Sequence, residues 1–469
     1  MGACYPGPLG ASPGLAHLCG MRRRHFTRLA GATLAGAALD PTALAAARAA
    51  ARTGGPAGQS LRVDRARLAR RMAELARFGA NAAGGIDRVA FSDADLEARS
   101  WVSELMTGAG LEVSVDVAGN LIGRRGGTQA GLRPLVLGSH IDSVPGGGNY
   151  DGQVGSMGAV EVAWTLRDAG ADTRHPLELV IFPNEEGGKT GSRALAGKVD
   201  PRELDIVTAS GHTIGEGLRR IGGDPGRLAE AERGPGSIAA FLELHVEQGF
   251  VLDTDGQDIG VVEGIVGIMR WNVVVEGMTN HAGTTLMDRR RDAMVGAARF
   301  VDMVHRIVRG MPGSQVATVG RLAAEPGAPN VIPGRVTASL EIRDLAMGRI
   351  EDIFREIERR AEAIGRESGT GFSFERFYVS EAAPTDPRIR DVIESTARAL
   401  GLSTRRMPSG AGHDAQSMAH LGPVGMIFVP SVAGISHAPE ELTEPGDVAN
   451  GADVLLRTLL ALDEGALDG

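Results

Sequence analysis

Two short apolar runs in this chain each end in a cluster of His, Asp and Glu. Pro134 to Leu137 leads into Gly138-Ser139-His140-Ile141-Asp142, and then into a glycine-rich turn that closes on Asp151 and Gly152. Leu177 to Phe182 leads into Asn184-Glu185-Glu186-Gly187. A short apolar run bounded by turn residues fits a strand buried on both faces. Between the two lies Val154 to Ala169, which reads as a helix. Strand, helix, strand is the grammar of an α/β sheet, whose ligands bind beyond the strand ends. Imidazole and carboxylate groups at that place are the donors a hydrolytic metal site needs.

Composition narrows the donor chemistry. Both cysteines, Cys4 and Cys19, lie near the N-terminus, so the rest of the chain uses neither thiolate ligands nor disulfides. Aromatic residues are only 4%, so the core must be built from Ala, Val, Leu and Ile. The net charge is −9 and the globular part has no basic block, which argues against nucleic acid as a partner. The 469 residues are enough for about two to three domains.

Met21-Arg22-Arg23-Arg24-His25-Phe26 precedes a mild apolar run, Leu29 to Leu39, and an Ala-rich stretch. This resembles a twin-arginine export signal read from an internal start at Met21. It implies an exported or periplasmic protein; the alternative is an Ala-rich leader on a cytoplasmic one. The apolar run is too short to anchor in a bilayer, so no membrane association is expected of the mature form.

After a Gly/Pro linker, Thr53 to Gly58, helices are predicted over about Asp64 to Phe78 and Asp93 to Gly108. Leu111 to Val117 reads as a strand. From Gly264 the pattern changes. Strands are predicted at Trp271 to Glu276, Val316 to Val319, Val336 to Arg343 and Phe372 to Val379. Helices separate them, one carrying Ala293, Ala297, Phe300, Val301, Val304 and Val308 on one face and one spanning Arg349 to Ser368. That β-α-β-β-α-β order is ferredoxin-like. The α/β alternation resumes from Asp386, so the main domain is expected to be discontinuous around an insert.

Several residues stand out against these elements. His140 and Asp142 share a face if the strand continues, so one can bind a metal while the other orients the ring. Glu185 and Glu186 are adjacent and diverge, which allows one ligand and one free general base. Glu243, His245 and Glu247 alternate with Leu242, Leu244 and Val246, giving a polar face on a buried strand. His281 lies just after the first strand of the insert, and Arg343 ends a later one, facing away from its apolar side. His437 sits in Ser436-His437-Ala438-Pro439-Glu440-Glu441. Gly188-Lys189-Thr190 imitates the end of a phosphate loop, but Pro183 stands where that motif needs Gly.

Taken in order, these motifs resemble the M20-type metallohydrolases, and within them the hydantoinase/carbamoylase branch. The narrower motifs are Leu244-His245-Val246-Glu247-Gln248-Gly249, Asn330-Val331-Ile332-Pro333 and Ser409-Gly410-Ala411-Gly412-His413-Asp414-Ala415. The resemblance covers nearly everything from Asp64 onward. It implies a metallopeptidase-like catalytic domain over 60–265 and 379–469, after a signal and linker over 1–59. An inserted lid and dimerisation domain would span 266–378.

The resemblance also implies a site. His140, Asp151 and His245 would hold one divalent ion, and Asp151, Glu186 and His437 a second, with Asp151 bridging. Asp142 would orient His140, and Glu185 would be the general base. Gln248, Asn330, Arg343 and Gly412 would bind substrate. His281 would reach the site of the partner in a homodimer. Zinc comes first for the two ions, with manganese or cobalt as alternatives.

The implied substrate is a small ureido acid. An N-carbamoyl-L-amino acid hydrolase is the first reading, an allantoate amidohydrolase or β-ureidopropionase the next. An M20 aminoacylase or peptidase is a further alternative, and a non-enzymatic binder is disfavoured because every ligand position is filled. One departure is local. Gly187-Gly188-Lys189-Thr190 replaces an Arg-Phe pair and a longer loop found in many relatives, which bears on substrate preference.

Overall fold

The α/β alternation becomes one nine-stranded mixed sheet. A computed structural model describes residues 61–467; the export-signal and linker readings lie outside them. The first strands are β1 (Glu112–Val115), β2 (Leu121–Arg125), β3 (Leu135–His140), β4 (Leu177–Phe182) and β5 (Ala240–Val246). They are joined by β6 (Ile259–Ile265), β13 (Ala383–Pro384), β14 (Thr404–Ser409) and β15 (Val424–Val429). Their order is β1-β2-β4-β3-β5-β15-β6-β13, with β14 paired to β6. The four central strands, β4, β3, β5 and β15, run parallel.

Those strands are apolar on both faces because both are covered. Leu177, Leu179, Ile181, Leu242 and Leu244 pack into one core, and Val180, Phe182, Phe241 and Phe428 into another. Helices α1 (Arg65–Leu75), α2 (Asp93–Gly108) and α3 (Gln153–Ala169) contribute to the first core. Asp64 starts α1 by accepting the Arg67 N–H at 2.9 Å, and Ser92 starts α2 by accepting that of Asp95. Helix α3 lies so close to β5 that a Cβ at Gly155 would stand 2.1 Å from the Leu244 carbonyl oxygen.

A separate four-stranded antiparallel sheet is built from β7 (Gly267–Glu276), β9 (Val316–Glu325), β11 (Arg335–Asp344) and β12 (Gly371–Ser380). Its order is β12-β7-β11-β9, the arrangement a β-α-β-β-α-β unit produces. Helices α4 (Ala293–Arg309) and α5 (Met347–Ser368) cover one face. Their apolar stripes, Phe300, Val304 and Val308 on one and Ile350, Ile353 and Ile357 on the other, meet Trp271, Val273, Leu340 and Ile342. A two-stranded ribbon, β8 (Asn280–His281) with β10 (Val331–Ile332), lies beside this sheet.

Three details differ from the sequence reading. Strand β2 was not foreseen, because Gly123-Arg124-Arg125 breaks the apolar run; Arg124 pairs there with Glu178 at 3.2 Å. Strand β9 extends past Val319 to Glu325, because β11 supplies partners on both sides of a bulge opposite Leu340. The strand expected over Leu111 to Val117 is confined to β1. Among the described residues no helix is long and apolar enough to cross a membrane.

Candidate metal centre

The C-terminal ends of the four parallel strands converge on one cluster. Strand β3 ends on His140, opposite Phe182 in the register, and β4 is followed at once by Glu185 and Glu186. His245 lies one residue before the end of β5, beside Phe428 of β15, and the segment after β15 carries His437. Asp151 arrives from the turn between β3 and α3. Parallel packing thus brings six residues together that span almost three hundred positions of sequence.

Asp151 stands between two groups of donors. Its Oδ1 is 3.1 Å from His245 Nε2 and 3.7 Å from His140 Nε2. Its Oδ2 is 3.0 Å from His437 Nε2, and that nitrogen is 3.6 Å from Glu186 Oε1. His140, Asp151 and His245 form one trio of mutually close donor atoms, and Asp151, Glu186 and His437 another.

The imidazoles are preset as ligands. His140 Nδ1 faces the Asp142 carbonyl oxygen at 3.0 Å, and His245 Nδ1 faces that of Val246 at 2.9 Å. A carbonyl only accepts, so each Nδ1 carries a hydrogen and each Nε2 points into the cluster. Burial holds the His140 pKa down, which keeps that ring neutral. Gly152 makes this possible. Its φ is +77°, and a Cβ there would lie 2.3 Å from His140 Nε2.

Two divalent ions fit these residues on the structure's own terms. His245 Nε2 and Glu186 Oε1 are buried without a hydrogen-bond partner. His245 Nε2 and Asp151 Oδ1 are close but not aligned as donor and acceptor, so both aim at a common point. The donors are all N and O. Burial, then the charges of Asp151 and Glu185, push Glu186 up to about 10. Burial opposes the His245 imidazolium, but Asp151 outweighs it and pushes its pKa up to about 9. Crowded carboxylates that hold protons for want of positive charge are what bound dications relieve. A third trio, Glu243, His245 and His413, also converges. Glu243 is already engaged there, accepting from the Ser139 hydroxyl at 2.8 Å and the Ala415 N–H at 2.9 Å.

The other candidate residues are distributed around this centre. Asp142 lies beyond the end of β3. Its backbone carbonyl, not the carboxylate expected from the two-residue spacing, takes the His140 Nδ1 hydrogen. The carboxylate accepts the N–H groups of Glu185 and Glu186 at 3.3 and 3.2 Å, fixing the turn that presents both. Glu185 Oε2 is 3.9 Å from His140 Nε2, and burial pushes its carboxyl pKa up. Gln248 sits at φ +58°, donates Nε2 to Asp151 Oδ2 at 2.5 Å, and leaves a buried Oε1 without a partner.

Arg343 donates to Glu341 at 2.7 Å and to the Gly410 carbonyl at 2.7 Å, so it reaches from the four-stranded sheet to the loop that contains Gly412. Asn330 and His281 are exposed on the β8–β10 ribbon, outside the cluster in the same chain. His281 Nδ1 accepts from the Gly283 and Thr284 N–H groups at 3.0 and 3.2 Å, which leaves the hydrogen on Nε2. Glu247, grouped by parity with His245, instead caps a short helix by accepting from Val251 and Leu252.

Glu441 is a residue the sequence reading did not assign. It accepts the N–H groups of Tyr150 and Asp151 through Oε1, at 2.9 and 3.0 Å. Through Oε2 it accepts from the Ser436 hydroxyl at 2.9 Å and the His437 N–H at 3.2 Å. The signal was present as the acidic end of the His437 motif, but nothing in the sequence says that it folds back onto Asp151.

Known proteins resemble this chain closely. Residues 136–461 match Peptidase family M20/M25/M40. An N-carbamoyl-L-amino acid amidohydrolase of Geobacillus stearothermophilus is 40% identical, over 85% of this chain and 98% of that protein. An allantoate amidohydrolase of Escherichia coli (strain K12) is 36% identical, over 83% of this chain and 95% of that protein. The crystal structure of a hydantoinase/carbamoylase family amidase from Burkholderia multivorans superposes with a TM-score of 0.79 at 36% identity. It covers 86% of this chain and 98% of its own.

Proposed function

The chain belongs to peptidase family M20/M25/M40, and from that premise we propose that it is a two-metal amidohydrolase of ureido acids. Its substrates are N-carbamoyl-L-amino acids or a close relative such as allantoate, cleaved at the ureido C–N bond to ammonia, carbon dioxide and the free amine. The observation that carries this reading is the Asp151 carboxylate, with one oxygen facing His140 and His245 and the other facing His437.

His140, Asp151 and His245 would hold one ion, and Asp151, Glu186 and His437 the other. Such a pair supplies Lewis acidity and lowers the pKa of water at neutral pH. Glu185, whose Oε2 is 3.9 Å from His140 Nε2 and which belongs to neither ligand trio, takes the proton from the attacking water and delivers it to the leaving nitrogen. The unpartnered Gln248 Oε1 is placed to accept from a ureido N–H, since its own Nε2 is tied to Asp151. Arg343 offers a planar fork for the substrate carboxylate.

The four-stranded layer serves in this reading as the lid and dimerisation layer, with His281 donating Nε2–H into the partner's site. The exposure of His281 and its fixed tautomer support that role. Export through the twin-arginine-like segment belongs to the same proposal.

The test is ammonia release by metal-loaded protein from N-carbamoyl-L-amino acids, allantoate and β-ureidopropionate, with N-acetyl-L-amino acids scored by free amine. Turnover of a ureido substrate is expected. Activity on acetylated substrates alone would overturn this reading in favour of an aminoacylase.

A further inference from the structure

Lys189 has no role in the chemistry above, yet it stands beside it. Its backbone N–H donates to the Glu185 carbonyl at 2.9 Å, so it occupies the same turn as the proposed base. Its φ is +58°, a left-handed conformation that a side chain resists and that persists where surrounding contacts impose it. The ammonium reaches across to the segment after β14. Nζ donates to Gln416 Oε1 at 2.5 Å, and a Cβ at Gly412 would stand 2.9 Å from it. Glycine at 412 lets the ammonium lie close against that loop without displacement.

The bonding of this lysine is incomplete. The Gln416 amide is turned toward it because its Nε2 donates to the Ser380 hydroxyl and the Glu381 carbonyl. That contact is neutral and uses one of three N–H donors. Among the described residues Lys189 makes no ion pair, although its charge is felt by Glu185, Glu243 and His413. A half-buried ammonium with free donors, on the same turn as the proposed base, is an anion-binding position. On the same loop, Arg343 holds the Gly410 carbonyl from the other sheet. Two cations therefore reach one loop, Gly410 to Gly412, from opposite sheets.

We propose that Lys189 is a specificity residue that binds a second, side-chain carboxylate, so that the preferred substrates are N-carbamoyl derivatives of dicarboxylic amino acids. Arg343 takes the α-carboxylate and Lys189 the distal one. This rests on the ureidohydrolase reading above.

The experiment compares kcat/KM for N-carbamoyl-L-aspartate and N-carbamoyl-L-glutamate with the isosteric N-carbamoyl-L-asparagine and N-carbamoyl-L-glutamine. It uses the metal-loaded wild type, Lys189→Met and Lys189→Arg. A charge-assisted contact of this kind corresponds to roughly ten- to hundredfold in preference. The wild type is expected to favour the acidic member of each pair by that factor. Lys189→Met is expected to abolish the preference, mainly through KM, and Lys189→Arg to retain it. Calorimetric binding of L-aspartate against L-asparagine should show the same dependence on residue 189. Equal kcat/KM for acidic and amide substrates in the wild type overturns the proposal while leaving the ureidohydrolase reading intact. So does an equal loss on both in Lys189→Met. Absence of turnover on all four, with allantoate or β-ureidopropionate turned over, also overturns the proposal, and absence of turnover on every ureido substrate refutes the underlying reading instead.

Discussion

Glu441 accepts the backbone N–H of Asp151 at 3.0 Å through one carboxylate oxygen and the N–H of His437 at 3.2 Å through the other. One side chain therefore pins the loops that carry Asp151 and His437, which are far apart in sequence. Groups that orient metal ligands typically matter by roughly 10–100-fold in affinity. Glu441→Gln keeps one acceptor oxygen and replaces the other with a donor that faces two donors. Its metal affinity is expected to fall by that factor with the fold retained. Metal content after dialysis against graded chelator concentrations, beside a circular dichroism melt, checks this. Wild-type retention would remove Glu441 from the support of the site.

Glu185→Gln separates chemistry from binding. The amide cannot take a proton, and Glu185 belongs to neither ligand trio. Turnover is expected to fall by about 10²–10⁴-fold, the usual range for a general base. Two ions per chain should remain. A variant that turns over near the wild-type rate, or that arrives without metal, contradicts the assignment.

Loading the site should release protons. In the metal-free protein His245 has a pKa of about 9, where Asp151 outweighs the burial that opposes its charge. A ligand imidazole must be neutral, so below that pH the ion competes with a proton. Glu186, pushed up to about 10, must lose its proton as well, so apparent affinity is expected to rise with pH until both groups are deprotonated, near pH 10. Titration calorimetry at fixed pH, in two buffers of different ionisation enthalpy, reads the released protons. Identical heats in both buffers would mean that His245 and Glu186 have already lost their protons.

Gly152→Ala tests the space in front of His140. Gly152 sits at φ +77° and ψ −38°, a sparsely populated conformation that costs an alanine about 1–3 kcal/mol. The added Cβ would stand 2.3 Å from His140 Nε2, so the ring must also move. A lower melting temperature and less than two ions per chain are expected together. A stable, fully metallated variant would show that the turn can be rebuilt around a side chain.

Much of the architecture was legible in residue pattern. Apolar runs at Leu135 and Leu177 predicted buried strands, and the stripe at Phe300, Val304 and Val308 predicted the helix that covers the second sheet. These signals are local, since burial on both faces or on one is written in the period of a single segment. Strand β2 escaped because its partners, not its own residues, make it a strand.

The site divides along the same line. Sequence supplied the residue types and their motifs: His140, Asp151, Glu185, Glu186, His245 and His437, with no cysteine to compete. It determined that any metal here must be held by nitrogen and oxygen. Only the tertiary structure decided which oxygen of Asp151 faces which imidazole. It also decided that the Asp142 carboxylate serves the glutamate turn, that Glu441 joins two distant loops, and that Lys189 is left with unused donors. Those are relations between segments brought together by parallel strand pairing. A hydrogen bond depends on ångströms and angles that no spacing within one segment encodes.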